Sequence, residues 1–221
     1  MFSYYGAKTK IIGKYPAPQF ARIVEPFAGS ARYALHYWDR EVILYETFSK
    51  VFAVWEYLIQ ASQQDILDLP DLQIGDDIRN FRSLSDAERW LIGYQLQRGN
   101  ARPGCLVNAR CRWNTDKIRI ASEVHKVKHW KVFHQDGLIE PWGNATYFVD
   151  PPYTVQKHGY THGTVNYEEI AKRVEKENGQ FIVCGNSDDK WLPFKALSAM
   201  HGIKKTHLEC IFHRGCEGPL H

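Results

Sequence analysis

Short apolar runs alternate along this chain with stretches of helical period, and that alternation narrows the choice of fold more than any other feature. "RIVE" (22–25), "VILYE" (42–46), "KVFHQ" (131–135), "TYFV" (146–149), "QFIVCG" (180–185) and "KKTHLECIF" (204–212) read as strands. "SARYALHYW" (30–38) reads as a helix, and "FSKVFAVWEYLIQA" (48–61) places Val51, Val54, Trp55 and Leu58 on one helical face. "SDAERWLIGYQLQRG" (85–99) opens with a Ser85…Glu88 capping box and closes at Gly99; "NYEEIAKRVEKENG" (166–179) carries a similar start at Asn166 and Glu169. "KWLPFKALSAMHG" (190–202) reads as a broken helix. Strands that are apolar along their whole length must be covered on both sides. The expected fold is therefore α/β, an open, doubly wound, mostly parallel Rossmann-like sheet.

At 221 residues the chain fits a single domain, 1–221, with 64–130 as an inserted subdomain. No apolar run approaches the ~18 residues of a membrane span. The N-terminal "MFSYYGAKTK" lacks a signal core, so the expected location is cytoplasmic, with no membrane partner. Five cysteines at wide spacings read as reduced thiols; no metal is expected.

Charge is unevenly spread. Residues 98–131 hold nine Lys or Arg against only Asp116 and Glu123, a local +7 that leaves −4 on the rest of a chain whose net charge is +3. Such a run is a solvated face in many proteins, and it is also the footprint of a polyanion binder.

In open α/β sheets, ligands bind beyond the carboxyl ends of the strands. The first strand runs into "EPFAGSA" (25–31), where Gly29 and Ser30 let backbone approach a ligand ahead of a helix N-terminus. Glu46, 21 residues beyond Glu25, ends the second strand, where an acid binds ribose hydroxyls; a helix-start acid is the plainer reading. Asp136, in "HQDG" (134–137), ends a third strand, unless it merely makes an Asp-Gly turn. "TYFV" runs into Asp150-Pro151-Pro152-Tyr153, a carboxylate and a ring on a stiff elbow, or simple turn punctuation. Together these ends suggest a nucleoside cofactor beside a co-substrate.

At this point the sequence resembles the Dam-like DNA adenine methyltransferases, over nearly its whole length. "YYGAKTK" (4–10) is similar to that family's N-terminal Tyr-x-Gly-x-Lys element, "EPFAGSA" to its cofactor loop with Ala31 where glycine is usual, and "DPPY" to its catalytic tetrapeptide. "YQLQRGNARPGCLVNARCRWN" (94–114) is similar to the stretch that begins its target-recognition region. The resemblance implies the Rossmann-like methyltransferase fold, S-adenosylmethionine as cofactor and double-stranded DNA as partner. The implied cofactor residues are Tyr4, Tyr5, Gly6, Lys8, Glu25, Pro26, Phe27, Ala28, Gly29, Ser30, Ala31, Glu46, Thr47, Asp136, Gly137 and Asp150. Glu46 stands for the more usual Asp, and the family's closing strand would have to come from "HRGCEGPLH" (213–221).

The elbow then has a chemical reading. The lone pair of an adenine amino group is delocalised into the ring. Asp150 and the carbonyl of Pro151 would each accept one of its protons and localise that pair, with Pro152 stiffening the turn and Tyr153 stacking on a flipped base. Arg98, Asn100, Arg102, Arg110, Arg112, Asn114 and Lys117 are the candidates for DNA contact. "TVQKHGYTHGTVNY" (154–167) is either a loop closing over the base or an ordinary crossover. Methylation of cytosine N4 or of RNA bases follows the same logic, and a nucleic-acid-binding module that keeps the fold but transfers poorly is the alternative outside that class.

Overall fold

The computed structural model describes residues 1–215 apart from Ala7, Lys10, Glu140, 154–164 and 202–205. The reading of 154–167 as a closing loop falls almost wholly outside the described residues. The elements in chain order are β1 (Arg22–Glu25), α1 (Arg32–His36), β2 (Glu41–Tyr45), α2 (Ser49–Gln60), α3 (Gln63–Leu67), α4 (Asp86–Leu96) and α5 (Trp113–Glu123). They continue with β3 (Lys131–Phe133), β4 (Thr146–Val149), α6 (Tyr167–Lys176), β5 (Gln180–Asn186), β6 (Lys195–His201) and β7 (Thr206–Arg214).

The strands form one open sheet in the order β3-β2-β1-β4-β5-β7-β6, parallel except that β7 runs antiparallel to both its neighbours. The two-residue side-chain period sends alternate residues into two cores. Ile23, Val42, Leu44, Phe148, Ile182 and Cys184 face α2, α4 and α5, whereas Val24, Tyr147, Val149, Phe181 and Val183 face α6. Burial on both faces is why these strands read as continuous apolar runs. The doubly wound Rossmann-like sheet expected from the sequence is the fold observed.

The segment 64–130 carries most of α3 and all of α4 and α5. Its side chains Ile66, Leu91, Ile92, Trp113 and Ile120 join Trp55 and Leu58 in the first core rather than forming one of their own. Helix α4 has the expected capping box, with Glu88 N–H donating to Ser85 Oγ and Ser85 N–H to Glu88 Oε2. Lys128 caps the other helical end nearby, its ammonium donating to the Leu58, Ile59 and Ala61 carbonyls at the C-terminus of α2.

One reading needs correction. The segment 190–202 is not a broken helix: beyond Pro193 it forms β6, whose residues pair with β7 from Lys195↔Ile211 to His201↔Thr206. Pairing with a partner strand overrides a weak local preference. The closing hairpin of the sheet is β6 with β7, the latter at 206–214, and most of the segment 213–221 lies outside the described residues.

The sheet aligns the two loops that matter. Tyr33 of α1 stacks flat on Phe148 of β4, with ring centroids 4.5 Å apart and planes at 5°. Tyr15 meets the same ring edge-on at 5.1 Å. Such pairs add about 0.5–1.5 kcal/mol each beyond the area they bury. They lock the helix after β1 against the strand that carries Asp150. Among the described residues, no helix is long and apolar enough to cross a membrane, and no group of three or more His, Cys, Asp or Glu is placed to hold a metal ion.

Candidate functional site

The strand order reverses between β1 and β4, and the crevice opens at the carboxyl ends of these strands. The β1 loop forms its floor. Ala28 N–H donates to Tyr45 O (3.0 Å), Ala31 N–H to Ala28 O (2.7 Å), and Trp55 Nε1 to Gly29 O (2.8 Å). Gly29, at φ +47°, is the turn that lets the loop pass under Tyr4; an added Cβ would sit 3.3 Å from Tyr4 Cδ1.

Ala31 is the sole non-glycine residue with positive φ among those described (φ +44°, ψ +48°), at the N-cap of α1. A left-handed alanine costs about 1–2 kcal/mol. Replacing it with glycine relieves that cost but loses a buried methyl and adds freedom to the unfolded chain. Ala31→Gly is therefore expected to shift urea-denaturation stability by no more than about 1 kcal/mol. Ala31→Val, which cannot reach this conformation without strain, should destabilise by about 2 kcal/mol or more. Equal effects would show that the loop relaxes out of the left-handed turn.

Because Ala31 offers no capping side chain, the N-terminus of α1 is capped from β1: Ala34 N–H donates to Glu25 Oε1 at 2.7 Å. Glu25 is 2% exposed. Burial pushes its carboxyl well above the ordinary 4.5, the Ala34 amide opposes this, and nearby Asp150 adds to it. The folded state thus holds the proton to higher pH than the unfolded chain. The contribution to stability is complete below the ordinary range and is lost as pH rises through the raised value. Glu25→Gln keeps the acceptor for Ala34 and cannot ionise. Thermal unfolding should show the variant gaining on the wild type steadily from pH 5 to pH 8. A gap independent of pH would mean that Glu25 titrates normally.

Glu46 follows β2. Its Oε2 accepts from Gly29 N–H (3.0 Å) and its Oε1 from Phe48 N–H (2.8 Å), so one carboxylate ties the β1 loop to the start of α2. Burial raises its carboxyl, against the pull of the Phe48, Gly29 and Thr47 amides.

At the end of β4, Lys8 Nζ donates to both Asp150 oxygens, at 3.0 and 2.9 Å, and to Gly6 O at 3.2 Å. Lys8 is 6% exposed. Burial would lower its ammonium, but the Asp150 and Glu209 carboxylates outweigh this and hold it above its ordinary value. Tyr167 Oη donates to Pro152 O at 2.5 Å, and Tyr153 Oη donates to Glu209 Oε1 at 2.8 Å. The Pro152 carbonyl is thus engaged within the protein, which leaves the acceptor role to that of Pro151.

These ends enclose a cleft of about 1130 Å³, counting its open mouth. Every residue implied for the cofactor lines it except Gly137. Gly137 is buried beneath the β1 loop, where a Cβ would come within 2.7 Å of Pro26; its role is close packing. Asp136 lines the cleft while its Oδ1 accepts from Leu138 N–H at 2.9 Å, so it makes the turn as well. Arg32, Phe48, Phe148 and Val165 line the cleft without having been singled out in the sequence. Asn166, expected as a helix start, lines it as well while its side chain caps α6.

The basic insert is less basic in effect than in composition. Lys117 is buried, donating to Leu69 O (2.7 Å) and pairing with Asp71. Asn114 spends its side chain on both the N–H and the carbonyl of Leu72. Arg98 pairs with Asp116, as does Arg119. Asn100, Arg102, Arg110 and Arg112 are exposed.

No protein-family model and no curated protein sequence matches the chain. Among solved structures it is similar to a putative methyltransferase, yhhF, from Escherichia coli, at 12% identity and TM-score 0.39, over 88% of this chain and 75% of that one. It is similar to a conserved hypothetical protein of Streptococcus pyogenes at 13% identity and TM-score 0.36, over 86% and 84%. The rRNA methyltransferase aviRa of Streptomyces viridochromogenes gives 12% and 0.40, over 91% and 80%. Likenesses at this level leave function to be argued from the site itself.

Proposed function

We propose that the chain transfers a methyl group from S-adenosylmethionine to the exocyclic N6 amino group of adenine in duplex DNA, after the base has been flipped from the helix. One observation carries the reading. Asp150 at the end of β4 and Glu46 at the end of β2 line a single cleft, with the glycine loop of β1 between them.

The lining suits this cofactor. Glu46 and Asp136 share the lining with the Lys8–Asp150 pair and Arg32, so the cleft carries no excess of positive charge for phosphates and suits a nucleoside without them. Glu46 would hold the ribose hydroxyls with the lone pairs left beyond the Gly29, Phe48 and Thr47 amides. The backbone at Gly29 would lie against the cofactor, and Phe48 would supply an apolar wall. When bound, S-adenosylmethionine supplies an electrophilic methyl on a sulfonium. Asp150 and the Pro151 carbonyl would accept the two amino protons of the base and localise its lone pair. Tyr153 would orient the ring. Exposed Arg102, Arg110 and Arg112 would meet phosphates and base edges.

The test is transfer of labelled methyl from S-adenosylmethionine to duplex DNA, followed by digestion to nucleosides. Label in N6-methyladenine is the expected result. Label in cytosine, or only when RNA is offered, would overturn the substrate assignment and keep the clamp. Bound cofactor with no label in any nucleic acid would favour the binding module.

A further inference from the structure

We propose that Glu209 is a positioning residue for transfer, fixing the Tyr153 ring through its phenol; this rests on the methyl-transfer reading above. Glu209 belongs to none of the sequence motifs. It lies on β7, opposite Asn186 of β5 in the antiparallel part of the sheet, and is 5% exposed. Its Oε1 accepts from Tyr153 Oη and from Tyr15 Oη, each at 2.8 Å, and lies 3.8 Å from Lys8 Nζ. Burying a carboxylate costs several kcal/mol, and apolar residues of similar volume often serve stability better. A carboxylate at this position therefore calls for a reason other than stability.

The backbone around Tyr153 supplies that reason. Pro151 and Pro152 fix their own φ angles, and Tyr167 holds the Pro152 carbonyl. What remains free is the Tyr153 side chain, with its two torsions. A hydrogen bond at the para oxygen fixes the direction of the ring axis, and the Lys8 ammonium packed over one face resists rotation about that axis. The Lys8 ammonium lies over one face of the ring, 5.0 Å from its centre, so a stacked base must take the other. Lys8 is itself held between the two carboxylates. When an incoming amino group needs Asp150, Glu209 gives the ammonium a second partner nearby. Burial holds the Glu209 carboxyl above its ordinary value, with the Asp150 charge adding to the rise and Lys8 and the two phenols opposing it.

The test pairs Glu209→Leu, which removes both acceptor oxygens, with Tyr153→Phe, which cuts the same link from the other end. For each single variant kcat should fall about 10–100-fold, the scale of a misplacement near 1 Å, with the cofactor KM within about 3-fold of wild type. The double variant should be no slower than the worse single one. Fluorotyrosine placed at 153 gives a readout independent of turnover, its ¹⁹F resonance moving and narrowing in Glu209→Leu. An unmoved resonance overturns the tether. A moved resonance with unchanged kcat in an active enzyme overturns the positioning role alone. A wild type that transfers no methyl overturns the functional reading and the role with it, whatever the resonance does.

Discussion

Asp150→Ala is expected to cut methyl transfer to duplex DNA by at least about 10²–10³-fold, the loss seen when a group aimed at developing charge is removed. Affinity for S-adenosylmethionine should stay within a few-fold. The asymmetry follows from what the carboxylate touches. On the proposed function, binding would be spread over the β1 loop, Glu46 and the N-terminal segment, whereas an amino group at the end of β4 would find its acceptors in Asp150 and the adjoining carbonyl. The structure adds a condition on stability. Lys8 is almost wholly buried against Asp150, and stranding a buried charge ordinarily costs about 3–5 kcal/mol. Glu209, 3.8 Å from the same ammonium, should take over part of the pairing, so the variant is expected to fold with a smaller loss. Asp150→Asn keeps the shape and removes the charge, and should be as inactive as the alanine variant. Retained transfer in either would refute the clamp. An unfolded Asp150→Ala beside an active Asp150→Asn would make the residue structural.

The strand ends of the site were legible in the sequence because each is local. A strand, a glycine turn and a helix within "RIVEPFAGSARYALHYW" can fold only one way onto a parallel sheet, and Asp150 follows its strand directly. Glu209 and Tyr15 were not legible. They lie 194 residues apart and meet because β7 inserts between β5 and β6 with reversed direction. The only trace was a lone acid in the apolar run "THLECIF". The insert failed differently. Lys and Arg content counts charges but not the direction in which they point, and Lys117, Lys128 and Arg98 are spent on carbonyls and carboxylates within the fold. For β6 the obstacle was the edge of the sheet, where seven residues with little preference of their own take their conformation from a partner strand.

Glu46→Ala is expected to weaken S-adenosylmethionine binding by about 100-fold or more. Two hydrogen bonds from ribose hydroxyls to a carboxylate are worth about 1.5–3 kcal/mol each, and 1.4 kcal/mol is a factor of ten. The same side chain also holds the site together, since its oxygens accept from Gly29 on the β1 loop and from Phe48 at the start of α2. A weaker Kd could therefore arise from lost ribose contact or from a slackened loop. A cofactor analogue lacking both ribose hydroxyls separates the two. If contact dominates, the wild type should bind the analogue about as weakly as the variant binds the natural cofactor, and the variant should hardly distinguish them. If the loop dominates, the variant should lose the same factor against both ligands, and Gly29 and Phe48 should exchange their amide hydrogens faster. Calorimetry on the four combinations gives the coupling directly. A coupling near zero would remove Glu46 from the ribose and leave it as the tie between β1 and α2.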